Sequence, residues 1–336
     1  MIQTKKRDLS IDVMRGIAIL AVFVGHFAIF PQLHLARFAF SFRMPLLIMI
    51  GGIFFKEKTL ATQIKGEVTR LLLPCLFTVL ICAVLSYFAG MGFIDLFVGL
   101  YGNAVKADFV TMWQGPISCI GVLWFLPGIF WCKIIYNILF KIKLNRYIFT
   151  IFVFVISIIT IYGSRYLILP FGISHGLSML MFYHLGVSLK VVPKSPFRWW
   201  MFIVGLVLWL LSFVFAVFSI GEFYYEILLL NIFGVIGAFY CIYWFSKLIV
   251  RWTCIPSPLR WCGQNSMALY CFHAVCFYVV YLISGQPGEW TPWNPHLMFV
   301  IHLVFCLSLT YISSKVPFLK RLYKIVDYEK EKSSIC

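Results

Sequence analysis

Ten apolar runs, each long enough to cross a bilayer as a helix, divide this chain and leave little room for any other architecture. They lie at residues 10–30, 39–55, 71–89, 118–140 and 147–163, then at 167–189, 199–219, 224–247, 264–284 and 296–314. Only Tyr162-Gly163-Ser164-Arg165 divides the fifth from the sixth, and the stretch 92–104 has the character of an interfacial segment. Of 336 residues 62% are hydrophobic and only 12% charged, which specifies an all-α, polytopic membrane helix bundle of about ten transmembrane helices. No linker, low-complexity tract, clear repeat or soluble domain interrupts the runs. Residues 1–336 therefore read as a single membrane-embedded domain, with a basic tail over 315–336.

A net charge of +16 would point a soluble chain towards nucleic acid. Here the cations fall in alternate connections, the pattern that sets membrane orientation, so no nucleic-acid partner is expected. Lys5, Lys6, Arg7, Lys56, Lys58, Lys65, Arg70, Lys141, Lys143 and Arg146 fall on one side. So do Lys190, Lys194, Arg198, Lys247, Arg251, Arg260 and the tail from Lys315, whereas the opposite side holds little beyond Arg37, Lys106 and Arg165. That asymmetry supports an even number of spans with both termini cytoplasmic, where Lys320-Arg321-Leu322-Tyr323-Lys324 can meet anionic membrane lipid. The first run has the basic start and apolar middle of a signal peptide. Phe30-Pro31-Gln32-Leu33-His34 offers no small-residue cleavage site, so the run is expected to stay as a helix. The eleven cysteines show no CxxC pairing, so buried packing is expected of them, with no metal cluster and no disulfide framework.

The first run carries two groups that hydrocarbon disfavours, Arg15 and His26. Eleven positions on a regular helix bring the second side chain to within roughly 20° of the first and ~16 Å along the axis. Intramembrane ionisable groups face a bundle interior or an aqueous cavity, serving transport or chemistry, or else a hydrogen bond between helices.

Around this pair the sequence resembles the acyltransferase-3 family of membrane O-acyltransferases. Asp12-Val13-Met14-Arg15-Gly16-Ile17-Ala18-Ile19-Leu20 with His26 matches that family's Arg-x10-His spacing. Phe40-Ser41-Phe42-Arg43-Met44-Pro45-Leu46-Leu47, followed by Gly51-Gly52, resembles its approach to the second span, and Arg70-Leu71-Leu72-Leu73-Pro74 its basic loop before the third. Leu123-Trp124-Phe125-Leu126 and the pair Gly263-Gln264-Asn265-Ser266 and Tyr270-Cys271-Phe272-His273 resemble two further elements. Five elements in order make the likeness specific. One position departs: Arg43 stands where family members often carry histidine.

The resemblance implies transfer of an acyl group, usually acetyl from cytosolic acetyl-CoA, to a hydroxyl of a surface or lipid-linked glycan. It further implies a multi-pass protein of a bacterial cytoplasmic membrane. His26 is the expected general base, because neutral imidazole within reach of a sugar hydroxyl can take its proton. Arg15 is expected on the phosphate or pantetheine groups of the donor. Asp12, at i and i+3 from it, either orients it or forms a cytoplasmic surface pair. Arg70 is a second donor candidate or a topology-setting charge. His273, midway along the ninth run, either joins His26 in the cavity or ties helices together. Arg43 either binds an anionic group or snorkels to the interface.

Trp124 and His175 are weaker candidates for acceptor or cavity contacts. His175 and His184, nine residues apart, fall on opposite helix faces, so at most one is expected to face a shared cavity. The Lys106–Gln114 loop and the Gln286–Asn294 segment carry Trp or Pro suited to sugar rings or interfacial anchoring. Direct transfer is favoured over a covalent intermediate. A glycan or lipid transporter without acyl transfer is the alternative function, since it too carries intramembrane Arg and His.

Overall fold

The computed structural model describes residues 8–26, 34–88, 119–164, 166–252, 257–284 and 294–327. Arg165, the 92–104 and 106–114 stretches, residues 286–293 and the tail beyond Asp327 lie outside the described residues.

Each of the ten apolar runs contains a helix. The first holds α1 (Leu9–Val24); the second is broken at Ser41–Phe42 into α2 (Leu35–Phe40) and α3 (Arg43–Ile53). The third is continuous with the segment before it, from α4 (Leu60–Glu67) through a π turn (Val68–Leu72) into α5 (Leu73–Phe88). A 3-10 turn (Cys119–Trp124) leads into α6 (Phe125–Phe140), followed by α7 (Arg146–Gly163), α8 (Ile173–Ser188) and α9 (Trp199–Phe215). An antiparallel pair, β1 (Phe218–Ser219) and β2 (Tyr224–Tyr225), precedes α10 (Leu228–Trp252). The chain continues as α11 (Ser257–Gln264), α12 (Ser266–Ser284), α13 (Pro295–Lys315) and α14 (Pro317–Tyr323). Among the described residues seven helical stretches are long and apolar enough to cross a membrane, with α9 and the Ser266–Val280 stretch of α12 apolar but shorter.

Polarity is inverted relative to a water-soluble fold. Thr78, His175, Ser178, Ser212, Asn231 and His273 are buried, while Leu80, Ile151, Ile159, Ile203 and Val304 face outward. α7 shows why: only Phe149, Val153, Ser157 and Ile161 are buried, a stripe repeating every fourth residue. Ser157 at its centre donates to the Leu177 carbonyl and accepts from the Met181 amide, so the polar atom is satisfied inside and the apolar atoms are left for lipid. Cys75, Cys82, Cys132, Cys241, Cys262, Cys271, Cys276 and Cys306 are all buried, with no disulfide among them.

α1 sits at the centre, packed against α2, α3, α10, α11, α12 and α13. Val13, Met14, Ala18, Ile19 and Phe23 are fully enclosed, as suits a helix apolar on every side. Asp8 caps its start by accepting from the Ser10 amide at 3.0 Å. Its end differs from the sequence expectation. The apolar run extends to residue 30, but the helix stops at Val24, with Gly25 as cap and His26 in the following turn. Glycine lowers the helix's propensity to continue there. The sixth run is likewise shortened: left-handed Phe171 and Gly172 delay α8 to Ile173.

The described part of the basic tail is docked on the bundle. The Tyr323 hydroxyl lies 2.9 Å from Thr78 Oγ1 on α5, and its ring packs 4.9 Å from that of Phe272 on α12.

Candidate active site

Two glycines bring the first and last family-like elements into backbone contact. A Cβ on Gly16 would sit 1.9 Å from the Leu259 carbonyl oxygen, and one on Gly263 would sit 1.8 Å from that of Asp12. Only residues without a side chain permit this α1–α11 crossing. It sets the Asp12-to-Arg15 turn beside Gly263-Gln264-Asn265-Ser266. Arg15 Nη1 lies 3.9 Å from Asp12 Oδ1, with the aspartate side chain 4% and the arginine side chain 26% exposed.

From Arg15 a cavity of about 200 Å³ opens between α1, α3, α6 and α12. Ile19, Leu47, Ile50, Leu71, Phe125, Leu126, Ile129 and Met267 make most of its wall apolar; Arg15 and Lys133 supply its cations, and Tyr270 also lines it. Lys133 is held by Glu67, Nζ to Oε2 at 2.9 Å.

Tyr270 connects this cavity to the histidines. Its hydroxyl donates to the Val122 carbonyl, fixing the ring, whose centroid lies 4.9 Å from that of His273. His273 is fully buried, with Nδ1 bonded to the Tyr270 carbonyl. Because a carbonyl only accepts, Nδ1 carries the proton and Nε2 of the neutral ring is left as an acceptor. Nε2 has no hydrogen-bond partner among the described residues. The partly buried His26 ring lies 5.5 Å from His273, and both contact Phe277. His302 of α13 completes a trio of imidazoles, 6.1 Å from His273 and 4.9 Å from Phe277. Arg15 thus lines the cavity, and His26 lies two ring contacts beyond its Tyr270 wall, in a turn and not on a continuous helix.

Arg43 points inward. It is 5% exposed, its Nη1 donates to the Val22 carbonyl at 2.8 Å, and its guanidinium lies 3.8 Å from the Phe40 ring centroid. This cation bonds a last-turn carbonyl of α1, where the helix dipole is negative. Gly25 makes room for it, since a Cβ there would lie 2.0 Å from Nη1. The residue next to His26 is therefore in contact with a buried guanidinium.

The remaining sequence candidates are set apart. Arg70 lies exposed on the π turn, one residue before the cavity-lining Leu71. Trp124 packs 4.8 Å from the His175 ring, and His175 Nε2 bonds the Gly221 carbonyl at 3.1 Å, joining α8 to the turn between β1 and β2. His184 faces the other way, with Nδ1 2.8 Å from the Tyr136 hydroxyl and Nε2 3.0 Å from Thr150 Oγ1. Both nitrogens are engaged, so it ties helices together.

Sequence reasoning missed Lys133, Glu67, Tyr270 and His302 as members of this region. Lys133 and His302 carried the same signal as Arg15, an ionisable group inside an apolar run. Tyr270 stood within the Tyr270-Cys271-Phe272-His273 element, but only its neighbours show that it lines the cavity.

Together these features define a helical, multi-pass membrane protein with a cation-lined internal cavity whose Tyr270 wall packs against His273. The acyltransferase domain of the acyltransferase-3 family matches residues 8–315, and the chain belongs to that family. It is a membrane acyltransferase. No curated relative and no solved structure matches the chain.

Proposed function

We propose that the protein moves an acetyl or other short acyl group from cytosolic acyl-CoA to a hydroxyl of a surface or lipid-linked glycan. In this reading about ten helices span a bacterial cytoplasmic membrane with both termini inside. The observation that carries it is the cavity running from Arg15 to Tyr270, whose ring stands against His273, itself a ring neighbour of His26.

Arg15, oriented by Asp12, holds the polar part of the donor, with Arg70 as a further cation at its charged end. The apolar wall takes the thin acyl-bearing arm and excludes water, which would otherwise hydrolyse the thioester. His26 accepts the proton of the acceptor hydroxyl as its oxygen attacks the thioester carbonyl. The C–O bond forms, the carbonyl becomes a tetrahedral oxyanion, and the C–S bond then breaks, with the departing sulfur receiving the proton from His26. Arg43, a permanent cation beside Gly25, stabilises the oxyanion. His273 positions His26 through ring contact. Trp124 and His175 support the acceptor side from a distance.

Mass spectrometry of surface glycans tests this in cells carrying wild-type or His26→Ala protein at matched membrane abundance. Wild type is expected to leave an acyl ester that the variant lacks, at a rate loss of ~10² to 10⁴. Equal ester content would remove His26 from the chemistry. Glycan export without ester, and without consumption of acyl-CoA, would favour a transporter.

A further inference from the structure

At the wall of the same cavity stands an ion pair that the proposed mechanism leaves unused. Glu67 is 3% exposed and its carboxylate accepts from Lys133 Nζ at 2.9 Å and from Gln63 Nε2 at 3.4 Å. Lys133 lines the same cavity as Arg15, so the pair stands at the wall of the donor path. From the opposite end of the sequence the chain returns to this place. After α14, Lys324 adopts a left-handed backbone, φ 54°, which is uncommon for a residue with a side chain. Ile325 is buried behind it.

A latch holds this segment in place. The Asn265 side chain reads the Val326 backbone on both sides, accepting from its N–H at 2.7 Å and donating to its carbonyl at 3.2 Å. Trp261 Nε1 donates to the same carbonyl at 3.0 Å, and Lys320 pairs with Asp327. The helix before the latch packs against the π turn that carries Arg70, and partial burial with the charges of Arg70 and Lys133 lowers the Lys324 pKa, with Glu67 opposing. Three cations thus face one carboxylate beside a cavity that already carries Arg15. Gathering like charges is unfavourable on its own and favours a multivalent anion.

We infer that the C-terminal latch is part of the donor site. Lys324, with Arg70 and Lys133, takes the phosphate groups of a nucleotide-bearing acyl donor, and Glu67 keeps Lys133 in position until phosphate displaces it. Because nothing but the folded tail supplies Lys324, the site is complete only when residues 323–327 are docked. The inference rests on the proposed acyl-CoA reading.

The test uses full-length protein in detergent, with acetyl-CoA and the phosphate-free acetyl-pantetheine as donors and direct binding of coenzyme A as a second readout. Lys324→Met is expected to raise KM for acetyl-CoA about tenfold, the loss of one charge-assisted contact, with kcat and the KM for acetyl-pantetheine unchanged. Lys324→Arg should keep wild-type KM. Asn265→Ala, which releases Val326 but removes no charge, should shift KM in the same donor-selective way. Lys133→Met leaves Glu67 buried without its partner, so it is combined with Glu67→Gln. An unchanged KM for acetyl-CoA in Lys324→Met, or an equal change with both donors, overturns the inference. Wild-type protein that binds coenzyme A through Lys324 yet transfers nothing from acetyl-CoA would retain the phosphate site and overturn the donor reading. Wild-type protein that binds coenzyme A no tighter than Lys324→Met overturns the phosphate site itself.

Discussion

Replacing Gly263 by alanine should slow transfer strongly without removing any side chain that takes part in it. The new Cβ would lie 1.8 Å from the Asp12 carbonyl oxygen and 2.8 Å from the Gly16 amide nitrogen. Ordinary carbon contacts begin near 3.4 Å, so α1 and α11 must separate by about 1.6 Å at the crossing. α1 carries Arg15 along the donor path and ends just before His26, so this displacement feeds directly into the spacing of donor and base. A misplacement of about 1 Å costs on the order of 10²-fold in rate, while overpacking of this kind destabilises by ~1–3 kcal/mol. The assay is acyl-ester formation by mass spectrometry at matched membrane abundance, with a melting curve in detergent to confirm folding. Gly66→Ala and Gly163→Ala serve as controls, because a Cβ at either position meets nothing within 4 Å. Wild-type turnover in folded Gly263→Ala protein would refute the claim that this crossing sets the site.

His184→Leu should lower the melting temperature but leave kcat and KM unchanged, because it strands the Tyr136 hydroxyl at about 1–3 kcal/mol, while Thr150 keeps its bond to the Arg146 carbonyl. A selective loss of turnover would instead place it in the reaction. Arg43→Met should reduce kcat by about 10²-fold with donor KM preserved, and Arg43→Lys should recover only part, lacking the planar fork. Full kcat in Arg43→Met would exclude the guanidinium from oxyanion stabilisation. His26→Ala and His273→Ala combined should fall little further than His26→Ala alone if the paired rings act as one unit. Multiplicative losses in single-turnover assays would show that they act independently.

The helices were legible because each apolar run is a local property of the sequence. Their interruptions were not: the Ser41–Phe42 break, the stop at Val24 and the delayed start of α8 depend on a single glycine or left-handed residue inside a run whose hydropathy does not change. Arg15, His26 and His273 stood out as polar groups in costly positions, and the last two prove to be ring neighbours. The ideal-helix reasoning that aligned the first two fails over the final two residues of the interval, yet the turn after Val24 still carries His26 inward. Lys133 escaped notice because its pairing with Glu67 joins residues 66 positions apart. The docking of the tail depends on Asn265 meeting Val326, and neither residue announces the other in sequence.

The shortness of α1 has a geometric consequence for the whole assembly. At 1.5 Å per residue its 16 residues extend about 24 Å, against about 37 Å for the 25 residues of α10. Hydrocarbon is ~30 Å thick, so α1 alone is shorter than that layer while α10 exceeds it. On the proposed reading, a donor laid along so short a helix leaves its acyl group less distance to cover than the full hydrocarbon thickness would demand.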